Sequence, residues 1–471
     1  MSTDFLPDSK TRQLADGATL VCIFISVLMI IPARLVFKGI PLSLTPGNVT
    51  ALFAGICWVC AQLTLTLGMA KGRTPVRIGL FIYMVAVLFS YGYANYGPLP
   101  SDEVKLSDHA LVLVAGNCAV ALMMNDGVRG LIRLDRVLKT AVVAGTGVAI
   151  VGCCQFLLKF DLTEYMALPG LRFTSDDGFV ETRDALARVA GTTGHPIEFG
   201  VLCAMLLPLA AHFAFQAKQR SEPALRWWIC CGIIGAGLMF SISRSAVLSI
   251  VGVTVVLFLG WPAKRRWYTL LVALVFLGIM KVAVPNLIGA LYNLFANIGN
   301  DSSISHRTYA SAVAAKQISL HPLFGHGPGT WYAGKHEVFD DQYILSTVET
   351  GFVGVAAFAG VFLLAFYSAL RARFLSKDPG ARDLALTICA SLVAPLIGSA
   401  TFDLLAFATV TGLTFVLVGA AGSLLRTAKQ LAPHEDQFGV MYWVRYRWAW
   451  LQGFSERRRR RKIAAQPEPV G

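Results

Sequence analysis

Adjacent carboxylates beside a polar loop are the sequence's clearest offer of acid–base chemistry: Phe339-Asp340-Asp341-Gln342-Tyr343 runs into Glu349-Thr350-Gly351 one or two helical turns later. Of two like-charged neighbours, one keeps its proton to higher pH, which suits proton abstraction; the same residues can instead cap a helix starting near residue 343. Just upstream, Gly325-His326-Gly327-Pro328-Gly329-Thr330 holds three glycines that either turn the chain tightly or let backbone amides approach a ligand oxygen. Three arginines complete the set. Arg244, in Ser241-Ile242-Ser243-Arg244-Ser245, stands at the junction of two apolar runs, where an unpaired charge in hydrocarbon costs about 2.5 to 3.5 kcal/mol. It either snorkels to headgroups or pairs its guanidinium fork with phosphate oxygens. Arg188 opens the segment that reaches His195-Pro196-Ile197-Glu198, and Arg307 lies ahead of the glycine run. Glu198 has a second use, as a carboxylate favourable to a helix N-terminus.

The elements that must position these groups are membrane helices. With 471 residues, 55% of them hydrophobic and 15% charged, the chain is too apolar for a soluble domain and long enough for about a dozen spans. Apolar runs lie near 18–37, 49–70, 77–96, 108–124, 140–158, 196–217, 226–242, 245–260, 268–285, 343–370, 383–400 and 404–424. The expectation is an all-α polytopic membrane protein of about twelve transmembrane helices. Residues 1–17 form a leader, 18–424 the membrane domain, and 425–471 a basic tail. The leader's Asp4, Asp8 and Asp16, without a small-residue cleavage site after the first run, read as a first span rather than a signal peptide.

Placing the N-terminus in the cytoplasm puts 29 of the 41 Lys and Arg residues on that side, so both termini are expected there. The loops 159–195 and 286–342, the larger falling between helices 9 and 10, are then external. The net charge of +13 reflects this bias and the run Arg457 to Lys462, which suits anionic lipid headgroups rather than nucleic acid. All ten cysteines fall in expected helices; Cys57-x-x-Cys60 reads as small packing residues, and disulfides are not part of the design.

Six of the eight histidines (109, 195, 306, 321, 326 and 336) fall on the external side, leaving His212 near a cytoplasmic helix end and His434 in the tail. None has the fixed spacing of a zinc site, and no metal or other cofactor is expected. Within loop 286–342, Asp301, Ser302 and Ser303 can cap a helix running to about Ser319, with Ile304, Tyr309, Val313 and Ile318 for its apolar side.

Taken in order, these elements resemble the O-antigen ligase and polysaccharide polymerase family of bacterial membrane glycosyltransferases. The resemblance is carried by Gly191-Thr-Thr-Gly-His-Pro-Ile-Glu-Phe-Gly200, Ser243-Arg244-Ser245, Arg307 ahead of His321-Pro-Leu-Phe-Gly-His-Gly-Pro-Gly-Thr330, and Asp340-Asp-Gln-Tyr343 with Glu349-Thr-Gly-Phe-Val-Gly354. It implies a GT-C-like helical fold in the bacterial inner membrane. It also implies metal-independent, inverting transfer of a glycan from an undecaprenyl diphosphate carrier to an acceptor glycan or glycolipid. Arg188, Arg244 and Arg307 would hold the diphosphate and Asp340 would act as base. His195, Glu198, Asp341, Tyr343 and Glu349 would line the substrate site, with His326 and His336 as further candidates for the base. Relatives of the ligase type carry His-Asn where this chain has Asp340-Asp341, so the polymerases of capsule and exopolysaccharide pathways are the nearer likeness. The rival reading is a transporter of a small anion such as bicarbonate, which would need ionisable residues at mid-membrane; the expected helices hold few.

Overall fold

The computed structural model describes residues 16–40, 42–64, 69, 72–174, 181–183, 186–296 and 302–432. They form fourteen α-helices: α1 Gly17–Ile30, α2 Pro46–Leu63, α3 Pro75–Tyr96, α4 Ser101–Gly127, α5 Leu131–Leu158, α6 Pro196–Gln219, α7 Leu225–Phe240, α8 Arg244–Gly260, α9 Ala263–Ala283, α10 Leu287–Ala296, α11 Ser302–Leu320, α12 Gln342–Leu375, α13 Pro379–Gly398 and α14 Ala408–Leu431. Among the described residues, nine helices are long and apolar enough to cross a membrane. The chain is an all-α polytopic membrane protein. Each of the twelve expected runs has its helix, but α1, α7 and α8, with 14, 16 and 17 residues, fall short of the length of a full span.

The first run stops early for a local reason. Ile31 precedes Pro32, and the residue before a proline is driven out of the helical region; its backbone is extended, at φ −81° and ψ 126°. The chain then forms β1 Leu35–Phe37, which pairs antiparallel with β2 Leu171–Phe173, while β3 Glu181–Arg183 pairs with β4 Leu186–Arg188. Strands of three residues leave no periodic trace in a sequence, and none was expected. The β1–β2 pair fastens loop 159–195 to the segment after α1, with help from Ala33 N–H to Thr192 O at 2.9 Å and the Arg34 guanidinium to Gly194 O at 3.2 Å. At the far end, α14 continues through Arg426 and Lys429 to Leu431, past the boundary expected at 424. The run Arg457 to Lys462, His434 and the leader's Asp4 and Asp8 lie outside the described residues.

Burial follows the membrane logic. In α14, 94% of the most apolar window is buried inside the protein, whereas in α9 the figure is 6%, so α14 is the axis of the bundle and α9 presents Leu271, Leu274 and Ile279 outward. Opposite the long loops, the fully buried Asp126 accepts from Trp58 Nε1 at 3.0 Å and Arg426 Nη2 at 2.8 Å, with Arg77 Nη1 at 3.5 Å. A carboxylate without such partners would not be tolerated there, so this one residue pins α2, α3 and α14 to the end of α4. The cysteines are all free, but Cys60 is exposed and Cys57 only half-buried, so the packing role expected for that pair holds at most for Cys57.

Candidate functional site

The start of α12 is fixed by its own sequence. Asp341 is the N-cap, its Oδ1 accepting from Tyr343 N–H at 2.8 Å and Ile344 N–H at 3.1 Å, which satisfies two amides that the helix cannot. Of the two aspartates, Asp341 therefore does structural work. Asp340 precedes it in the left-handed region, at φ 50°, and is exposed. Gln342 anchors this corner to the turn between α13 and α14: its N–H donates to Ser399 O at 2.7 Å, and its Oε1 accepts from Leu405 N–H at 2.8 Å. That turn brings in a carboxylate the sequence reading passed over. Burial, together with the charges of Asp340 and Asp341, pushes the Asp403 carboxyl up to about 6. Its Oδ1 is buried and has no hydrogen-bond partner among the described residues.

The glycine run is packed against α12 rather than held open. Gly351 interrupts that helix at φ 66° and ψ −175°, and the amides released beyond the kink are taken up by the residues just ahead of the run: Phe352 N–H by Pro322 O at 2.8 Å and Val353 N–H by Leu323 O at 3.3 Å. In return His326 N–H donates to Val348 O at 3.0 Å and Gly327 N–H to Glu349 O at 2.8 Å. Trp331 N–H points at the Glu349 carboxylate, 3.3 Å from Oε1. The reading in which these amides meet a ligand oxygen is thus corrected for His326 and Gly327, whose donors serve the broken helix. Non-helical backbone among apolar helices persists only when its polar groups are satisfied in this way. A Cβ at Gly351 would stand 2.2 Å from Leu323 O, and one at Gly325 would stand 2.4 Å from Glu349 O. Gly351→Ala and Gly325→Ala are each expected to destabilise the protein by about 2 kcal/mol or more, read as a lower thermal midpoint in detergent. Gly360→Ala, in the same helix with nothing within 4 Å, is the control that should leave the midpoint unchanged or raised.

Around the run the side chains form a ladder of rings. Tyr93 meets His321 at 6.1 Å between centroids, His321 meets His326 at 4.5 Å, and Trp331 stacks on His336 at 4.2 Å and on Phe339 at 5.4 Å. Burial and the neighbouring His321 hold His326 below the usual histidine range, and His336 Nε2 lies 3.8 Å from Glu103 Oε1. Helix α11 packs on the same corner, where Ala310 and Ala314 are buried with Phe339 and Val348. Of the expected apolar side, Ile318 packs on this cluster beside Ala310 and Ala314, whereas Tyr309 is 63% exposed. Arg307 lies one turn before Ala310 on α11; its side chain, like Asp301, is outside the described part of the structure.

The other arginines approach from β4 and α8. Arg188, at the end of β4, donates from Nε to Ser241 O at 3.3 Å, which sets it beside the α7–α8 junction where Arg244 begins α8. His195 is the N-cap of α6, its Nδ1 accepting from Ile197 N–H at 3.1 Å. Glu198, fully buried, accepts from Gly194 N–H at 2.7 Å, Thr409 N–H at 2.7 Å and Val410 N–H at 3.2 Å. It is a carboxylate in the first turn of its own helix, as expected, and it serves the N-terminus of α14 as well. Tyr343 donates to Leu396 O at 2.7 Å, a tie between α12 and α13.

The turn 399–407 is thus the hub. Asp340 and Asp341 meet Asp403 there, Glu198 holds the start of α14 just beyond it, and the His195 ring lies 5.8 Å from that of Phe407. Ser249 of α8 donates to Ala394 O of α13 at 3.0 Å, and Arg244 stands about 7.5 Å further along the axis of α8, toward the same end. Glu349 and His326 sit in the packing of the glycine run, with Glu349 near enough to interact with Asp403. Next to the hub is a cavity of about 260 Å3 whose polar lining includes Asn48, His109, Asn117 and Thr174, with His109 Nε2 buried and without a partner among the described residues. Asp403 and this cavity had no spacing to betray them, since their parts come from distant segments.

Residues 229–368, from α7 into α12, match the O-antigen ligase family. The match contains Arg244, Arg307, the glycine run, Asp340, Asp341 and Glu349, so the resemblance carried by those motifs is supported over this stretch. Arg188, His195, Glu198 and Asp403 lie outside it. None of the curated proteins matches the chain with significant similarity.

Proposed function

We propose that the polysaccharide ligase or polymerase role carried by residues 229–368 is exercised on a lipid-linked donor: an oligosaccharide leaves an undecaprenyl diphosphate carrier and is joined to a hydroxyl of an acceptor glycan or glycolipid. The observation that supports this most is the gathering of Arg188 and the Arg244 junction at the end of the bundle where Asp340 and Asp403 meet. In the proposed reaction the acceptor oxygen attacks the anomeric carbon as Asp340 takes its proton. The bond to the diphosphate breaks on the opposite face, inverting the centre, and the leaving group's growing negative charge falls to Arg188, Arg244 and Arg307. Neutral hydrogen-bonding groups such as Asn48, Asn117 and Thr174 suit the hydroxyls of a sugar, and the cavity they line is where we place one.

The site end is taken to face outward from the bacterial inner membrane and both termini to face the cytoplasm, following the distribution of basic residues. Transport of a small anion is the weaker reading. The buried acidic residues of the described helices, Asp126, Asp135 and Glu198, stand within two turns of a helix end, not at mid-membrane. The test is the glycan on the carrier in cells with and without the gene. Loss of a polymerase leaves single repeat units on the lipid, loss of a ligase leaves finished chains there, and an unchanged lipid-linked pool would refute both.

A further inference from the structure

The end of the bundle opposite the candidate site holds a second concentration of charge. Lys218 at the end of α6, Lys264 and Arg265 at the start of α9, Arg373 and Lys377 at the end of α12, and Arg382 in α13 line one cavity of about 640 Å3. Against these six cations the cavity offers a single carboxylate, Asp383, which is already engaged: its Oδ2 lies 2.6 Å from His212 Nδ1, and its Oδ1 accepts from Arg265 Nη1 at 2.7 Å and Trp261 Nε1 at 3.2 Å. The excess positive charge is therefore left to something else.

Arg265 shows most clearly what that would be. Its guanidinium sits in the corner made by the edge-to-face rings of Phe215 and Trp261, with Cζ 3.9 and 4.0 Å from their centroids. Nε and Nη2 are buried and have no hydrogen-bond partner among the described residues. A guanidinium with two donors unused suits an oxyanion that accepts from more than one of them, as a phosphate does. The surroundings choose the source of that phosphate. Tyr268 lines the cavity, and from there α9 runs on as an almost wholly exposed apolar surface through Leu271, Leu274 and Ile279. A cationic, aromatic-edged hollow continuous with an acyl-chain surface fits an amphiphile better than a free solute.

We propose that this cavity binds the headgroup phosphate of an acidic phospholipid, whose chains lie along α9. The binding is separate from glycan transfer and does not depend on it.

The test uses the full-length protein, stripped of lipid in detergent and then supplied with phosphatidylcholine, phosphatidylglycerol, cardiolipin or inorganic phosphate. The readouts are lipid phosphate retained per protein and the thermal midpoint. Phosphatidylglycerol or cardiolipin is expected to be retained and to raise the midpoint, where phosphatidylcholine and inorganic phosphate do not. Lys264→Gln/Lys377→Gln, which removes two exposed cations of the cavity, should weaken retention by on the order of thirtyfold, given the attraction of each basic side chain to anionic headgroups. Arg129→Gln/Arg136→Gln, an equal loss of charge at the same end but outside the cavity, should retain the lipid. Equal retention of phosphatidylcholine, an equal response to inorganic phosphate, or an equal loss in both double variants would each overturn the proposal. The comparison of lipids on the unaltered protein decides the question even if a variant folds poorly.

Discussion

Asp340→Asn is expected to lower glycan transfer by roughly a hundredfold to ten-thousandfold, the usual contribution of a general base, while lipid-linked donor remains bound. Asparagine keeps the shape of the side chain and removes only its capacity to take a proton. Asp341→Asn should be tolerated, because asparagine caps a helix as well as aspartate does and Asp341 is occupied with the amides of Tyr343 and Ile344. Asp403 adds a pH signature. Its carboxyl holds a proton up to about 6, so transfer should rise with pH through that value as Asp403 ionises beside Asp340. Asp403→Asn should remove that limb of the profile. The same shift has a consequence for stability with the opposite slope. The folded protein binds this proton more tightly than the unfolded chain, so Asp403's contribution to stability falls as pH rises from 3.8 to about 6, and Asp403→Asn should flatten that part of the curve. If Asp340→Asn stays within about threefold of the unaltered protein while His336→Ala does not, the base is a histidine of the ring ladder and the carboxylate mechanism fails.

The second large effect is expected at the arginines. Arg244→Lys and Arg307→Lys should each lose most of the transfer activity although the charge is kept, because an ammonium cannot reproduce the two-pronged geometry in which guanidinium meets a diphosphate. The loss should appear mainly in the rate at saturating donor, since the charge to be stabilised grows as the bond to the carrier breaks. Full activity in both variants at normal protein levels would leave them as anchors at the membrane surface.

What the sequence could show was set by how its signals are written. Long apolar runs identify spans by composition alone, so each of the twelve has its helix, and the capping sequence before Tyr343 is local and easily read. Ends were harder: the stop at Ile30 depends on a proline two residues on, and the course of α14 past residue 424 on arginine and lysine that a hydropathy scan discards. The candidate site divides in the same way. Arg244, Arg307 and Asp340 belong to contiguous motifs, whereas Asp403 becomes interesting only once α13 and α14 fold their connecting turn against the start of α12. Glu198 stands in the first turn of its own helix as expected, but it also caps α14, which the local pattern does not show. Nothing in a linear reading says that its partners are 211 and 212 residues away.

That long reach also sets a timetable. During synthesis, helices emerge and insert from the N-terminal side, and α14, the most enclosed of the spans, is the last of the described helices to arrive. Until it does, the helices already in the bilayer surround an unfilled axis, the Glu198 carboxylate lacks two of its three donors, and the turn bearing Asp403 has no second anchor. Insertion of α14 therefore closes the bundle and completes the corner around Asp340 and Asp403 in one event, so the proposed site cannot form before the last described helix is in place.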